Sequence, residues 1–281
     1  IKTNLCSKKI WVNQSGTFHH SIEKDSEKNY FIPIKIFPSV IDKRIVGKNY
    51  ETFNDDGIAK ISESGEIIYK KSVSQILIEN GYKNLLFSRG NFYKDPIHLN
   101  DIQPVLKDGP YWKKGDLFLS LRNLSSILHY RPNSNKIINI ISGPFSHQHD
   151  VNIISNKEIS LFNNNAFMTF QKKEILSHSE ILIYDFETKK FRKKFQNGMK
   201  QNSVRTATLG VHHILNDGSM MVEEGKSGRI LFFNQNGSLE WEYLNKAENK
   251  KTYILSWSRI IEDEDKIKRL REIIKENKCK N

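Results

Sequence analysis

The chain reads as an all-β protein, a β-propeller of five to six four-stranded blades with a C-terminal amphipathic helix. Three features predict this fold: a hairpin that recurs along the chain, two further strand-like stretches ahead of each hairpin, and a tail with helical apolar spacing.

The hairpins come first, because each joins two alternating apolar runs through a short polar turn. They are GIAKISESGEIIYK from residue 57, ILHYRPNSNKIINII from 127, ILIYDFETKKFRKKF from 181 and RILFFNQNGSLEWEY from 229. Ahead of them stand FHHSIEKD with NYFIPIKIF, NDIQPV with DLFLSLRN, QHDVNIIS with EISLFNNN, and GVHHILN with SMMVEEG. Two strands and then a hairpin make one blade.

A fifth, partial unit is expected from YILSWSRIIED (253–263), with KKIWVNQ (8–14) as a stray strand at the other end, so that the termini pair and remove exposed edges. In the tail, Ile267, Leu270, Ile273 and Ile274 recur at helical spacing among charges and predict a helix packed on the body. This divides the chain into a propeller over 1–264 and a helical tail over 265–281, with no Gly/Ser-rich or Pro-rich linker between domains.

Hydrophobic residues make up 37% and charged residues 27%, a folded composition rather than a disordered one. No apolar run approaches the roughly 20 residues that a membrane helix needs. The first residue is Ile1 rather than Met, so the segment reads as part of a longer product whose start could hold a signal, an anchor or another strand group, and a periplasmic or otherwise exported location is the expectation that goes with the enzyme reading given below. The net charge of +12 could attract nucleic acid, anionic lipid or small anionic substrates, but it comes mostly from scattered lysines without any nucleic-acid-binding signature, which points to a solvated lysine-rich surface rather than a nucleic-acid partner. Cys6 and Cys279 lie near opposite ends, where a closing fold could join them in one clip.

Innermost propeller strands begin at the mouth of the central channel, so the residues at those points are candidates for chemistry. Matching the repeats superposes His20 on His149, puts Gly210 there in the fourth unit, and brings His98 and Asn100 to the corresponding entrance of the second. Separate repeats thus aim three imidazoles at one space. His212 and His213 lie deeper along their strand and read as packing residues, and His129 and His178 sit in hairpin or loop positions. His147 and His149 form an H-x-H pair, which would point the same way in an extended strand and could serve a metal-dependent hydrolase. A binding propeller without catalysis is the other alternative.

The runs HLNDIQPV, GDLFLSLRNLSSILHY and GPFSHQHDVNIISNKEISLFNNN, with NDGSMMVEEGKSGRILFFNQNGSLEWEY and FHHSIEKD, resemble the arylsulfotransferase family of bacteria. The resemblance runs from about Gly16 to Trp257 and rests on the H-x-N, S-x-R-N and Q-H-D elements together. It implies a propeller enzyme that moves a sulfuryl group from a phenolic sulfate ester to a phenol without a nucleotide donor. Carried over by motif, His149 would be the nucleophile that becomes transiently sulfated, and His98, Asn100, Arg122 and His20 would complete the site. No metal and no organic cofactor is implied, and the partners would be an aryl sulfate and a phenol.

Those residue types suit that chemistry. A neutral imidazole splits the transfer into two displacements through a covalent intermediate. Arg122 offers a fixed fork of donors to the sulfuryl oxygens, Asn100 an uncharged donor, and His98 and His20 groups that titrate near neutrality. Phe18, Phe145, Trp112 and Trp257 could line the pocket of an aromatic acceptor.

Overall fold

The computed structural model describes residues 1–88, 93–169, 172–175, 177–249 and 251–275. Four antiparallel sheets follow one another along the chain, and each corresponds to one of the four repeats. The first blade holds Tyr30–Ile36, Asp55–Ile61 and Ile67–Ser72 behind two short inner pieces, Thr17–Phe18 and Glu23–Lys24. The second runs outward as Leu99–Pro104, Leu117–Leu121, Ser126–Arg131 and Lys136–Ser142, the third as His149–Ile153, Glu158–Asn163, Glu180–Asp185 and Lys190–Lys194, and the fourth as Gly210–Ile214, Met220–Glu224, Arg229–Phe233 and Leu239–Leu244. All four expected hairpins and the strand pairs ahead of them are present.

The blade number differs from expectation. Residues 253–263 form no strand, and Lys9–Trp11 pairs with Lys2–Thr3 in a separate ribbon instead of with the C-terminal end. The apolar runs that looked like a fifth blade lack a second strand to complete a ladder, so residues 253–262 cross as an irregular strap. Leu255 donates its N–H to the Gly225 carbonyl at 2.9 Å, and Glu262 receives the Asn216 N–H at 3.1 Å. The tail forms a helix over Glu264–Lys275 whose apolar face is only half-buried, with Ile274 fully out. Cys279 lies outside the described residues, and with it the expected terminal clip.

Apolar strand faces give the blades their packing. Phe31, Ile58, Leu99, Ile102 and Leu128 join the first blade to the second, with the helix Val73–Glu79 adding Ile76 and Leu77. Phe118, Ile127, Val151 and Leu161 join the second to the third, and Phe162, Ile181, Val222 and Leu231 the third to the fourth. Between the fourth and the first, no such apolar cluster occurs among the described residues.

Carboxylates reinforce every seam. Asp56 accepts the Leu99 N–H at 3.0 Å, Asp101 that of Val151 at 2.7 Å, and Asp150 that of His212 at 2.6 Å, so a buried acid of each blade reaches the inner strand of the next. At the fourth seam Glu223 accepts the N–H groups of Trp257 and Ser258 at 3.2 and 2.8 Å. From the strap, Trp257 then donates to Glu23 at 3.2 Å and Arg259 pairs with the same carboxylate. At Asp56 and Asp150, whose partners hold them below the ordinary carboxylate range against burial, such a charge-assisted bond contributes about 1.5–3 kcal/mol.

Candidate active site

Breaks in the inner strands create the site. In the first blade Phe18 pairs with Ile34 and Glu23 with Phe31, so residues 19–22 stand opposite only 32–33 and bulge away from the ladder. In the second blade Leu99 pairs with Leu121 and Asp101 with Ser120, which leaves Asn100 as the extra residue. The third does the same at Asp150, between His149 on Phe162 and Val151 on Leu161. The fourth blade is regular from Gly210 to Ile214. Bulges re-aim side chains beside functional sites, and here the three interrupted blades are the three that carry His20, His98 and His149. His20, His98, His147 and Asp150 also have positive φ, 59°, 53°, 55° and 49°. Non-glycine residues hold that conformation only where their surroundings demand it.

The result brings His20, His98 and His149 together. The His20 ring centroid lies 5.2 Å from that of His98 and 6.2 Å from that of His149. His149 is buried, and its Nδ1 is 2.6 Å from Asn164 Oδ1, while the Asn164 amide donates to the Thr206 carbonyl at 2.7 Å. That second bond fixes the amide, so Oδ1 is an acceptor and the His149 proton resides on Nδ1. Nε2 is left as a bare lone pair with no protein partner among the described residues.

Electrostatics keep this imidazole neutral. Burial, the Arg122 charge and the two nearby histidines bring its pKa down to about 3 against the opposing Asn164 bond. His20 is likewise lowered to about 3, by burial first and then by His19 and His98. His98 donates from Nδ1 to Asp95 Oδ2 at 2.7 Å, as the acceptor-only carboxylate requires. Arg122 donates to Asn123 at 2.8 Å, and its buried Nε has no partner among the described residues. Burial lowers the Arg122 pKa and Asp95 works against that, but a guanidinium stays charged at ordinary pH. Asn100 is fully buried and donates to the Gln148 carbonyl at 2.8 Å, and its oxygen has no donor among the described residues.

Blade four shows what the others have added. Gly225 donates to the Leu209 carbonyl at 3.0 Å just as Arg122 donates to that of His98 at 3.2 Å. Leu209 and Gly225 thus stand where His98 and Arg122 do, and Leu209 shares the positive φ, 60°. Gly210 takes the place expected from the repeat alignment. A Cβ there would fall 2.2 Å from the Phe162 ring, so the third blade's packing excludes a histidine.

The H-x-H pair does not form a ligand pair. The left-handed turn at His147 breaks the extended spacing, and its Nδ1 is 2.8 Å from the Ala166 carbonyl. Among the described residues no group of three or more His, Cys, Asp or Glu is arranged to hold a metal ion. His212 is a packing residue as expected, held by Ser160 at 2.7 Å and Asp150 at 2.8 Å, and His129 is buried on Asp116 at 2.8 Å. Trp112 and Phe145 belong to the core between the second and third blades, and Trp257 to the strap. Phe18 does line a cavity of about 380 Å³ together with Trp11, Tyr30, Ile22, His19 and His20.

Four residues escaped the motif reading: Asn164, Asp95, His19 and Asp56. Asn164 was visible as part of N-N-N and Asp95 as an acid three residues before His98, but neither pattern is informative until the fold closes.

A propeller with histidines from three blades converging beside a partly buried arginine is an enzyme-like site for an anionic group. The family model of the arylsulfotransferases (ASST) matches residues 2–246, and the chain belongs to that family, whose members are sulfuryl-transfer enzymes. No curated protein matches it. Among solved structures it is similar to a protein of unknown function from Bacteroides caccae, at 12% identity over 84% of this chain and 71% of that one, with a TM-score of 0.51. It is also similar to streptogramin B lyase, at 11% identity over 83% and 57% with a TM-score of 0.43, and to virginiamycin B lyase from Staphylococcus aureus, at 13% over 86% and 74% with a TM-score of 0.40. At these identities the likeness concerns the fold alone.

Proposed function

We propose that the protein transfers a sulfuryl group from a phenolic sulfate ester to a phenol through a sulfated His149. The observation that carries this reading is the state of His149: Nδ1 tied to Asn164, Nε2 bare, and the ring neutral down to low pH. A neutral nitrogen attacks a sulfate monoester without charge repulsion, and the covalent intermediate divides the transfer into two displacements.

In the first step the Nε2 lone pair forms a bond to sulfur while the bond from sulfur to the phenolic oxygen breaks. Arg122, charged and incompletely paired, supplies donors to the sulfuryl oxygens, and His98, oriented by Asp95, adds another. His20 serves the oxygen of the departing and of the incoming phenol. The aryl ring is assigned to the cavity beside His20, where Trp11, Phe18 and Tyr30 supply aromatic walls. In the second step the acceptor oxygen attacks sulfur and His149 regains its lone pair.

The test is incubation with p-nitrophenyl sulfate followed by mass spectrometry. A gain of about 80 Da on His149, the SO3 of a covalent intermediate, is expected, to be discharged by added phenol and lost in His149→Ala. Turnover without any adduct, or an adduct on another residue, would reject the assignment.

A further inference from the structure

His20 presents a chemical difficulty. A poor leaving group needs a proton, yet an imidazole held neutral by burial and by its neighbours is a weak source of one. The residue beside it offers a solution. His19 Nδ1 lies 2.7 Å from His20 Nδ1, with the rings edge to face. At the far side of the His19 ring, Nε2 is 3.3 Å from Asp56 Oδ1, off the line of a hydrogen bond but well within ion-pair range. Asp56 is fully buried and is itself held by Lys35 at 2.5 Å and by the Leu99 N–H. Burial raises its pKa, but His19 and Lys35 outweigh that and keep it an anion.

We propose that His19 is a positioning residue that carries the proton for His20, through a relay running from Asp56 across both imidazoles to the reacting oxygen. This rests on the sulfuryl-transfer reading above. The Asp56 anion keeps a proton on His19 Nε2, so everything turns on the single shared position between the two Nδ1 atoms. With His19 neutral, its Nδ1 is a lone pair, the shared proton belongs to His20 Nδ1, and His20 Nε2 is bare: a base. With His19 doubly protonated, the shared proton belongs to His19, and His20 must carry its own on Nε2: an acid. His20 therefore changes role without ever holding the charge, which stays on His19 next to Asp56.

The protons balance. As the donor's oxygen leaves sulfur, it takes the proton from His20 Nε2, and the His19 Nδ1 proton passes to His20 Nδ1. When the acceptor phenol enters, its proton goes to His20 Nε2 and the His20 Nδ1 proton returns to His19, while the phenolate oxygen forms its bond to sulfur and the bond from sulfur to His149 breaks. The groups facing this pair are Lys35, Asp56 and Tyr30 from the first blade, Asp95 and His98 from the segment entering the second, His149 from the third, and Lys2 from the N-terminal ribbon.

The experiment measures kcat/KM of wild type, His19→Ala and His19→Gln with two donors. Phenyl sulfate releases a basic phenolate that needs the proton, and p-nitrophenyl sulfate releases one that does not. Both variants should lose about 100-fold on phenyl sulfate, the scale of general acid catalysis, and only a few-fold on p-nitrophenyl sulfate. Equal losses on both donors, or rescue by His19→Gln, which keeps a hydrogen bond but cannot pass a proton on, would overturn the relay. A wild type silent with both donors would instead reject the sulfuryl-transfer reading. In that event 15N NMR of the histidine-labelled full chain still decides the relay. The His20 nitrogen shifts should exchange in the same pH step in which His19 Nδ1 protonates, and a His20 that does not respond overturns the inference.

Discussion

Asn164 Oδ1 lies 2.6 Å from His149 Nδ1, and the other end of the same amide is spent on the Thr206 carbonyl. One side chain thereby decides which nitrogen of the histidine is free. Replacing it with alanine releases both ring orientation and tautomer. Asn164→Ala is expected to slow adduct formation on His149 about 10- to 100-fold, the cost of misplacing an oriented catalytic group. Stability should fall as well, by about 1–3 kcal/mol, because His149 Nδ1 and the Thr206 carbonyl both lose a buried partner. Rapid-quench mass spectrometry of the adduct measures the rate.

Arg122 should not tolerate lysine. Its Nε is buried and without an acceptor among the described residues, as suits a fork directed at an anion, and a lysine ammonium cannot reproduce two parallel donors. Arg122→Lys is expected to reduce kcat/KM for the aryl sulfate about 10- to 100-fold, equivalent to roughly 1.4–3 kcal/mol of lost charge-assisted hydrogen bonding. Steady-state kinetics over a series of donor concentrations reads this directly.

The depressed histidines make stability pH-dependent. His20 and His149 titrate near 3 in the folded protein against 6.5 as free groups, so between those values the unfolded chain binds more protons. Stability is therefore full above the free value and falls as pH drops from 6.5 towards 3, by on the order of 1 kcal/mol per pH unit for each group. Urea midpoints measured across that window should decline on acidification. His149→Asn should flatten the decline, and an unchanged slope would contradict the neutral, buried state assigned to this ring.

The strap should matter more than its irregular backbone implies. Arg259 pairs with Glu23 and lies 3.9 Å from Asp150, and burial of the guanidinium is outweighed by these acids and Asp101. Arg259→Met leaves the carboxylates uncompensated, at a cost of about 1–3 kcal/mol. For a chain of this length each kcal/mol lowers the melting temperature by about 2–4 °C. Calorimetry checks this.

Much of the architecture was legible because strand periodicity is local. Each hairpin announces itself through alternation on both sides of a turn, and the four found in this way are four real blades. The supposed fifth failed for a physical reason: apolar residues at 253–263 satisfy the composition of a strand, but ladder formation needs a neighbour with free N–H and C=O groups in register. Here the chain instead meets Glu223 and Glu23, which take its N–H and side-chain donors.

Of the candidate site, His20, His98, His149, Asn100 and Arg122 were visible from repeat position and motif. Their supporting partners were not. Asn164 acts across 15 residues and Asp56 across 37, distances over which a single sequence holds no signal of contact. Nor do the bulges show in it, since one extra residue in a strand looks the same as a one-residue slip of the alignment.

By itself the sequence determined the β-hairpin repeats, the family and the imidazoles near one axis, because alternation and motif spacing are properties of neighbouring residues. Only the tertiary structure decided how many blades these residues form, which nitrogen of His149 is free and what stands behind His20. Blade number, free nitrogen and supporting partners depend on ladder pairing, burial and hydrogen bonds between distant segments, which come into being only when the blades pack.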